Sequence, residues 1–97
     1  MTDGLSEPRR PDDAKRLIRQ ILQIGRFTYS KHAMEEMLAD DLTTVDCESV
    51  LRAGIVQPPD FALGTWRYRC ETNRMAVVVA FRSESELVVI TAWRLKP

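Results

Sequence analysis

One histidine, two cysteines and four glycines among 97 residues leave few materials for several kinds of chemistry. Cys47 and Cys70 stand far apart, Cys47 in a helical stretch and Cys70 in an extended one. They make no ligand pair and read as buried thiols of a protein kept in a reducing cytoplasm. With a single histidine beside them, no structural zinc or iron site is expected. No apolar run approaches the ~18–20 residues a bilayer span needs. The opening MTDGLSEPRRPDD has no apolar core of the kind a secretory signal carries. No membrane association is therefore expected. Neither a nucleotide-binding glycine loop, nor a pair of catalytic carboxylates, nor a Ser or Cys nucleophile with its base is visible, and no cofactor is implied.

What is present is a composition for one small soluble domain, with 44% apolar and 29% charged residues. Formal charge sums to zero, but it is unevenly placed. Residues 1–31 hold seven Lys or Arg against four acids, residues 32–65 one against seven, and residues 66–97 six against three. The middle third is an acidic block between two basic ones. A basic strand region attracts phosphates, whereas the acidic helices weaken any indiscriminate pull toward nucleic acid.

Along the chain, residues 1–11 hold Gly4, Pro8 and Pro11 without apolar periodicity and read as a mobile tail, with a single domain over 12–97. A helix is expected from Asp12 or Asp13, either of which suits its cap. Ala14, Leu17, Ile18, Ile21 and Leu22 form its stripe, with Ile24 at the end, and Gly25 stops it. Arg26–Tyr29 reads as a short extended piece. Ser30 caps a second helix over Lys31–Ala39 with Ala33, Met34, Met37 and Leu38 inward. A third starts at Thr43 or Thr44, with Glu48 near the capping-box position and Val45, Val50, Leu51 and Ala53 inward, and ends at Gly54. The stretch 55–64, with Pro58-Pro59, reads as a loop with a brief strand at Ile55-Val56.

Thr65 to Lys96 then reads as three strands joined by tight turns. Met75–Phe81 is apolar on both parities, as in a strand covered on both faces by a helix, a partner or a second copy. Helices followed by strands predict an α+β domain in which N-terminal helices pack on a three- to four-stranded antiparallel sheet.

Candidate site residues follow from this layout. Arg67 and Arg69 alternate with Trp66, Tyr68 and Cys70, so both guanidiniums share one face, about 7 Å apart. Such a pair contacts successive phosphates or clamps one phosphoryl group as charge builds on it; two solvated arginines on an edge strand would look the same. Arg94 and Lys96 share a face of the last strand, and Arg74 lies between strands. Trp93, of opposite parity, reads as core or as a base-stacking platform. His32 opens the second helix, where the helix dipole favours the neutral imidazole, a competent base for a hydroxyl proton, though a locally bonded His reads equally. Tyr29 lies close by. Arg, Lys, His and Tyr are the inventory of a metal-independent ribonuclease: a base takes the 2′-hydroxyl proton, cations stabilise the phosphorane and an acid protonates the leaving oxygen.

Four pieces carry a family resemblance: AKRLIRQILQIGRFTYSKHAMEEM with its Ser-x-His-Ala helix entry, LTTVDCESVLRAG, GTWRYR, and the paired strands AVVVAF and LVVITAWR with Val-Ile-Thr-Ala. From about Asp13 to Lys96 the chain resembles small bacterial domains related to the MqsR toxin, within the RelE-like set that includes BrnT. The resemblance implies an mRNA-cleaving toxin, an endoribonuclease held inactive by a cognate antitoxin. Scattered polar residues on the sheet would act on RNA, including ribosome-associated mRNA. Carried onto this sequence, it matches His32, Arg67 and either Arg94 or Lys96; with the layout above, His32, Arg67 and Arg94 are expected as catalytic residues, and Arg69, Tyr29, Arg74 and Lys96 as RNA-binding ones. The chain is less basic than MqsR and places Met75 or Ala76 where MqsR has a strand tyrosine. The alternative expectation is a non-catalytic protein-interaction or RNA-binding module of that fold, which the doubly apolar middle strand also suits, including self-association as a homo-oligomer.

Overall fold

In the computed structural model, which describes residues 5–96, the first helix, α1, spans Pro11–Ile24. Proline fits the first helical position because the amide it lacks has no intrahelical partner there. The N-cap is Arg10, with no side-chain cap bond. Asp12 and Asp13, expected as caps, lie in the first turn, where their charge meets the positive end of the helix. Ala14, Leu17, Ile18 and Ile21 are buried as the spacing predicts, whereas Ile24 is exposed. Gly25 ends the helix without a left-handed turn. Its necessity is steric, since a Cβ there would lie 2.5 Å from the Ser85 carbonyl oxygen.

Strand β1 (Arg26–Tyr29) leads into α2 (Lys31–Ala39). The Ser30 hydroxyl accepts the Ala33 amide at 3.0 Å and donates to the Ile90 carbonyl at 2.9 Å, so one side chain both caps α2 and ties it to the sheet. Helix α3 (Thr44–Ala53) opens on a capping box of Thr43 and Asp46. Asp46, rather than Glu48, fills that role because it is the residue three beyond the cap. The Thr43 amide and hydroxyl hold the Asp46 carboxyl below the usual carboxylate range. Ala33, Met37, Cys47, Val50 and Leu51 are buried, but Met34, Leu38, Val45 and Ala53, all expected inward, are exposed. Lys15 donates to the Gly54 carbonyl at the end of α3, a cation at the negative end of a helix.

The remaining elements are β2 (Ile55–Val56), β3 (Asp60–Ala62), β4 (Thr65–Glu71), β5 (Met75–Ser83) and β6 (Glu86–Arg94). Sheet order is β1-β6-β5-β4-β2, with β3 also paired to β4. The sheet thus has six strands where three to four were expected, and it is not wholly antiparallel, since β1 runs parallel to β6. Two of the additional strands are the short pieces expected at Arg26–Tyr29 and Ile55-Val56; the third, β3, is only three residues long and lies in the stretch read as loop. With helices packed on this sheet, the fold is α+β.

Alternate residues of the long strands (Tyr68 and Cys70; Met75, Val77, Val79 and Phe81; Leu87, Val89 and Ala92) join α1, α2 and α3 in one apolar core. The β5–β6 register shifts between Val78 and Val79, where Val78 faces Thr91 but Val79 faces Val89. Ile90 is the extra residue of a bulge, and beyond it the parity of β6 inverts. Residues 5–10, expected as part of a mobile tail, lie against the sheet: the Arg9 amide donates to the Tyr68 hydroxyl at 2.9 Å, and that hydroxyl donates to Glu7 Oε2 at 3.0 Å. Residues 1–4 of that expected tail lie outside the described residues. Among the described residues no helix is long and apolar enough to cross a membrane.

Candidate nucleic-acid interface

Residues paired across a sheet project on the same side, so the registers map the face opposite the helices. Arg69, Val78 and Thr91 form one row across β4, β5 and β6; Glu71, Ala76 and Trp93 form the next. Asp60 on β3 stands opposite Arg67 on β4. The small side chains of β5 make a floor, the arginines of β4 one wall, and Thr91 and Trp93 the other, about 10 Å across. The resulting outer cleft has a volume of about 410 Å³ and is lined by Gln57, Asp60, Arg67, Arg69, Thr91 and Trp93 among others.

Its electrostatics are unbalanced at one atom. Arg69 Nε is held 3.1 Å from Glu71 Oε2. Arg67 Nε is buried and has no hydrogen-bond partner. A buried donor without an acceptor costs about 1–3 kcal/mol, and because this atom is closed to solvent the guanidinium must turn outward before a phosphate or carbonyl oxygen could accept from it. β4 lies inside the sheet, between β5 and the β2 and β3 strands, so these are not guanidiniums on an edge strand. The β3–β4 hairpin that carries Asp60 turns through Leu63 and Gly64, both with positive φ (53° and 76°), the two-residue turn whose twist suits a hairpin. Phe61 and Trp66 stack edge to face across it, with ring centroids 5.1 Å apart.

The other expected site residues are elsewhere. Arg94 pairs with buried Met75, on the helix side of the sheet. Its Nε donates to the Asp40 carbonyl at 2.9 Å and its Nη2 to the Asp41 carbonyl at 3.1 Å, so the guanidinium closes the α2–α3 turn. The bulge at Ile90 accounts for this exchange: Trp93, read mainly as core, faces the cleft, and Arg94 faces the helices. His32 is exposed on α2, lines neither this cleft nor the groove described next, and has Glu36 Oε1 at 3.9 Å. Arg74 lies exposed in the β4–β5 turn, and Lys96 is exposed beyond β6. The structure thus brings together Arg67 and Arg69, and joins to them neither His32 nor Arg94. Gln57, Asp60 and Thr91 are members of the cleft that the sequence did not single out. Asp60 sat in a stretch read as loop, and only its pairing with Arg67 reveals it.

Tyr29 lines a second concavity, a groove of about 770 Å³ with Lys31, Met34, Glu35, Leu38 and Leu42. Burial, and then Cys47 and Glu48, raise the Tyr29 phenol well above its usual range, so it stays protonated. Burial likewise pushes the Cys47 thiol up to about 11 and raises Cys70, whose Sγ donates to the Val50 carbonyl at 3.3 Å. Neither thiol has nucleophilic character at neutral pH. Among the described residues no cluster of three or more His, Cys, Asp or Glu is placed to hold a metal ion.

Neither the curated proteins nor the solved structures contain a match to this chain. A family does match, over residues 29–94, a span that contains α2, α3, every strand of the sheet from β2 to β6, and all the cleft residues. The chain belongs to the family described as Domain of unknown function (DUF4258).

Proposed function

We propose that this domain binds single-stranded RNA across the outer face of its sheet, on a scaffold related to the MqsR and BrnT toxins of the RelE-like superfamily. The observation that carries the reading is the shared cleft of Arg67, Arg69 and Trp93. Two guanidiniums two residues apart suit successive phosphates. An indole across a floor of small side chains offers a base a stacking surface without demanding a sequence. Asp60 would repel a phosphate, but it accepts from the amino edge of a base, and so sets which part of the nucleotide enters from the β3 side.

Fluorescence anisotropy of a labelled ten-nucleotide RNA tests this. Two neutralised phosphates give a slope of about −1.4 in log K against log salt, or about sevenfold weaker binding at 200 mM than at 50 mM. Arg67→Ala with Arg69→Ala should flatten that slope. Absence of binding at 50 mM salt, or binding indifferent to salt and to both substitutions, overturns the reading.

A second reading, a metal-independent mRNA endoribonuclease of a toxin–antitoxin pair, is favoured by one observation. Asp60 and Arg67 pair across β3 and β4, putting a carboxylate and a phosphate-binding cation in one cleft. A carboxylate removes the 2′-hydroxyl proton, the 2′-oxygen bonds to phosphorus while the guanidinium stabilises the phosphorane, and the P–O5′ bond breaks with the 5′-oxygen taking a proton from water. Induced expression should then arrest growth and leave mRNA cut at defined ends. Asp60→Asn and Arg67→Ala should abolish the cuts, and His32→Ala should preserve them. Unchanged RNA ends on induction of the wild type would reject cleavage while leaving the binding reading intact.

A further inference from the structure

The groove beside α2 is unlike the outer cleft in every respect. Lys31, Met34, Glu35 and Leu38 occupy i, i+3, i+4 and i+7 on one face of α2, and all four line it. Met34 is 61% exposed and Leu38 83%, an apolar stripe turned toward solvent rather than toward the core. Tyr29 reaches the same groove from β1, which ends the sheet and, among the described residues, has no strand on its outer side. An apolar helix stripe adjoining an unpaired strand edge is a surface that soluble proteins ordinarily cover.

We infer that a second copy of this chain covers it, in a two-fold dimer built on α2 and the β1 edge. The charges at the groove select this occupant. Lys31 and Glu35 stand one turn apart on the same wall, so a partner must bring both an anion and a cation in the matching order. An antiparallel copy of α2 does so automatically, with each Lys31 approaching the partner's Glu35, Met34 lying beside the two-fold axis, and Leu38, one turn beyond, reaching the end of the partner's β1. A partner carrying charge of one sign would meet repulsion from one of the two. Zero net charge on the whole chain removes the long-range repulsion that would otherwise oppose self-association. A stable interface needs about 800 Å² from each partner, more than one nine-residue helix presents, so the β1 edge beside Tyr29 must take part. The inference does not depend on the RNA reading, because the two concavities share no lining residue.

Sedimentation velocity of the full chain across a concentration series tests it. The expected species has twice the 11.1 kDa mass of one chain. Leu38→Glu should raise the dimer dissociation constant about tenfold or more. Lys31→Glu should weaken the dimer, and Lys31→Glu combined with Glu35→Lys should restore it. All these side chains are exposed, and circular dichroism of each variant verifies that the fold is retained. A monomer at every concentration, a dimer indifferent to Leu38→Glu, or a charge swap without rescue overturns the proposal. So does a lone monomer that forms a complex only with a different protein through this groove.

Discussion

On the helix side of β4, β5 and β6 stand Tyr68, Cys70, Val77, Val79, Leu87 and Val89, all fully buried. On the other side of the same strands stand Arg67, Arg69, Val78, Thr91 and Trp93, all at least partly open to solvent. The first set is closed, with its polar atoms already occupied. The Tyr68 hydroxyl holds both Arg9 and Glu7, and the Cys70 thiol holds a carbonyl of α3. The second set is open and contains a buried guanidinium nitrogen with nothing to donate to. The buried side chains of the helix side thus have their polar atoms paired within the fold, although Arg9 Nε beside them is unpartnered like Arg67 Nε, whereas the outer side leaves its arginines and Trp93 partly open to solvent. Stability should reside in the first and binding in the second.

Three substitutions and a pH series bear on that division. Tyr68→Ala removes a fully buried ring that stacks on Phe81 at 5.0 Å between centroids, and should lower the free energy of urea unfolding by about 3–5 kcal/mol. Arg67→Ala removes a buried donor that has no acceptor, so it should leave stability unchanged or raise it by up to about 1–3 kcal/mol while weakening RNA binding. A comparable loss of stability in both would erase the distinction between the faces. Arg94→Ala sharpens it, because this arginine came from the same basic set in the sequence but serves the closed side. Its two bonds to the α2–α3 turn should cost about 1–2 kcal/mol of stability when lost, with RNA affinity unchanged. An RNA defect as large as that of Arg67→Ala would return Arg94 to the binding surface.

A further effect is with pH. Burial, opposed by the Arg9 amide and reinforced by Glu7, pushes the Tyr68 phenol up to about 12 from an ordinary 10. The hydroxyl's contribution is complete below pH 10, where both folded and unfolded chains keep the proton. Between pH 10 and 12 only the folded chain keeps it, so stability falls as pH rises. Cys47 adds a decline of the same sign from pH 9 toward 11. Urea midpoints at pH 8.5, 10 and 11.5 should fall progressively, and Tyr68→Phe should make the fall above pH 10 shallower. An unaltered fall in that variant would assign it wholly to other groups.

Much of the frame was legible in the sequence because local rules agree with the final structure. Ser30 and Thr43 are caps by their chemistry, and the stripe of α1 is buried except at half-buried Leu22 and exposed Ile24; Met75–Phe81 is buried apart from Val78, but its outer parity floors a cleft rather than lying under a helix. What escaped depends on contacts between distant segments. No periodicity announces that Ile90 is an extra residue, yet that bulge decides that Trp93 rather than Arg94 faces the cleft. Met34, Leu38 and Val45 satisfy a helical spacing that normally marks a core face, and only the packing of α2 and α3 shows that they stay exposed among the described residues. Asp60 needed the pairing of a three-residue strand to come beside Arg67. Gly25 and Gly54 were read as helix stops by conformation. Their actual constraint is crowding, by the Ser85 carbonyl at one and by the Val50 and Glu71 carbonyls at the other.

The turn at Leu63–Gly64 has a bearing on how the cleft behaves over time. Leucine at a φ of 53° holds a conformation that costs an L-residue about 1–2 kcal/mol, and its side chain is 91% exposed, so burial returns nothing for it. The hairpin arm carrying Asp60 and Ala62 is three residues long and paired on one side only. It borders the cleft beyond the β4 arginines and contributes nothing to the apolar core, being held by one ladder and the Phe61–Trp66 contact. Fraying of this arm would therefore reshape the proposed cleft while leaving the sheet beneath it intact.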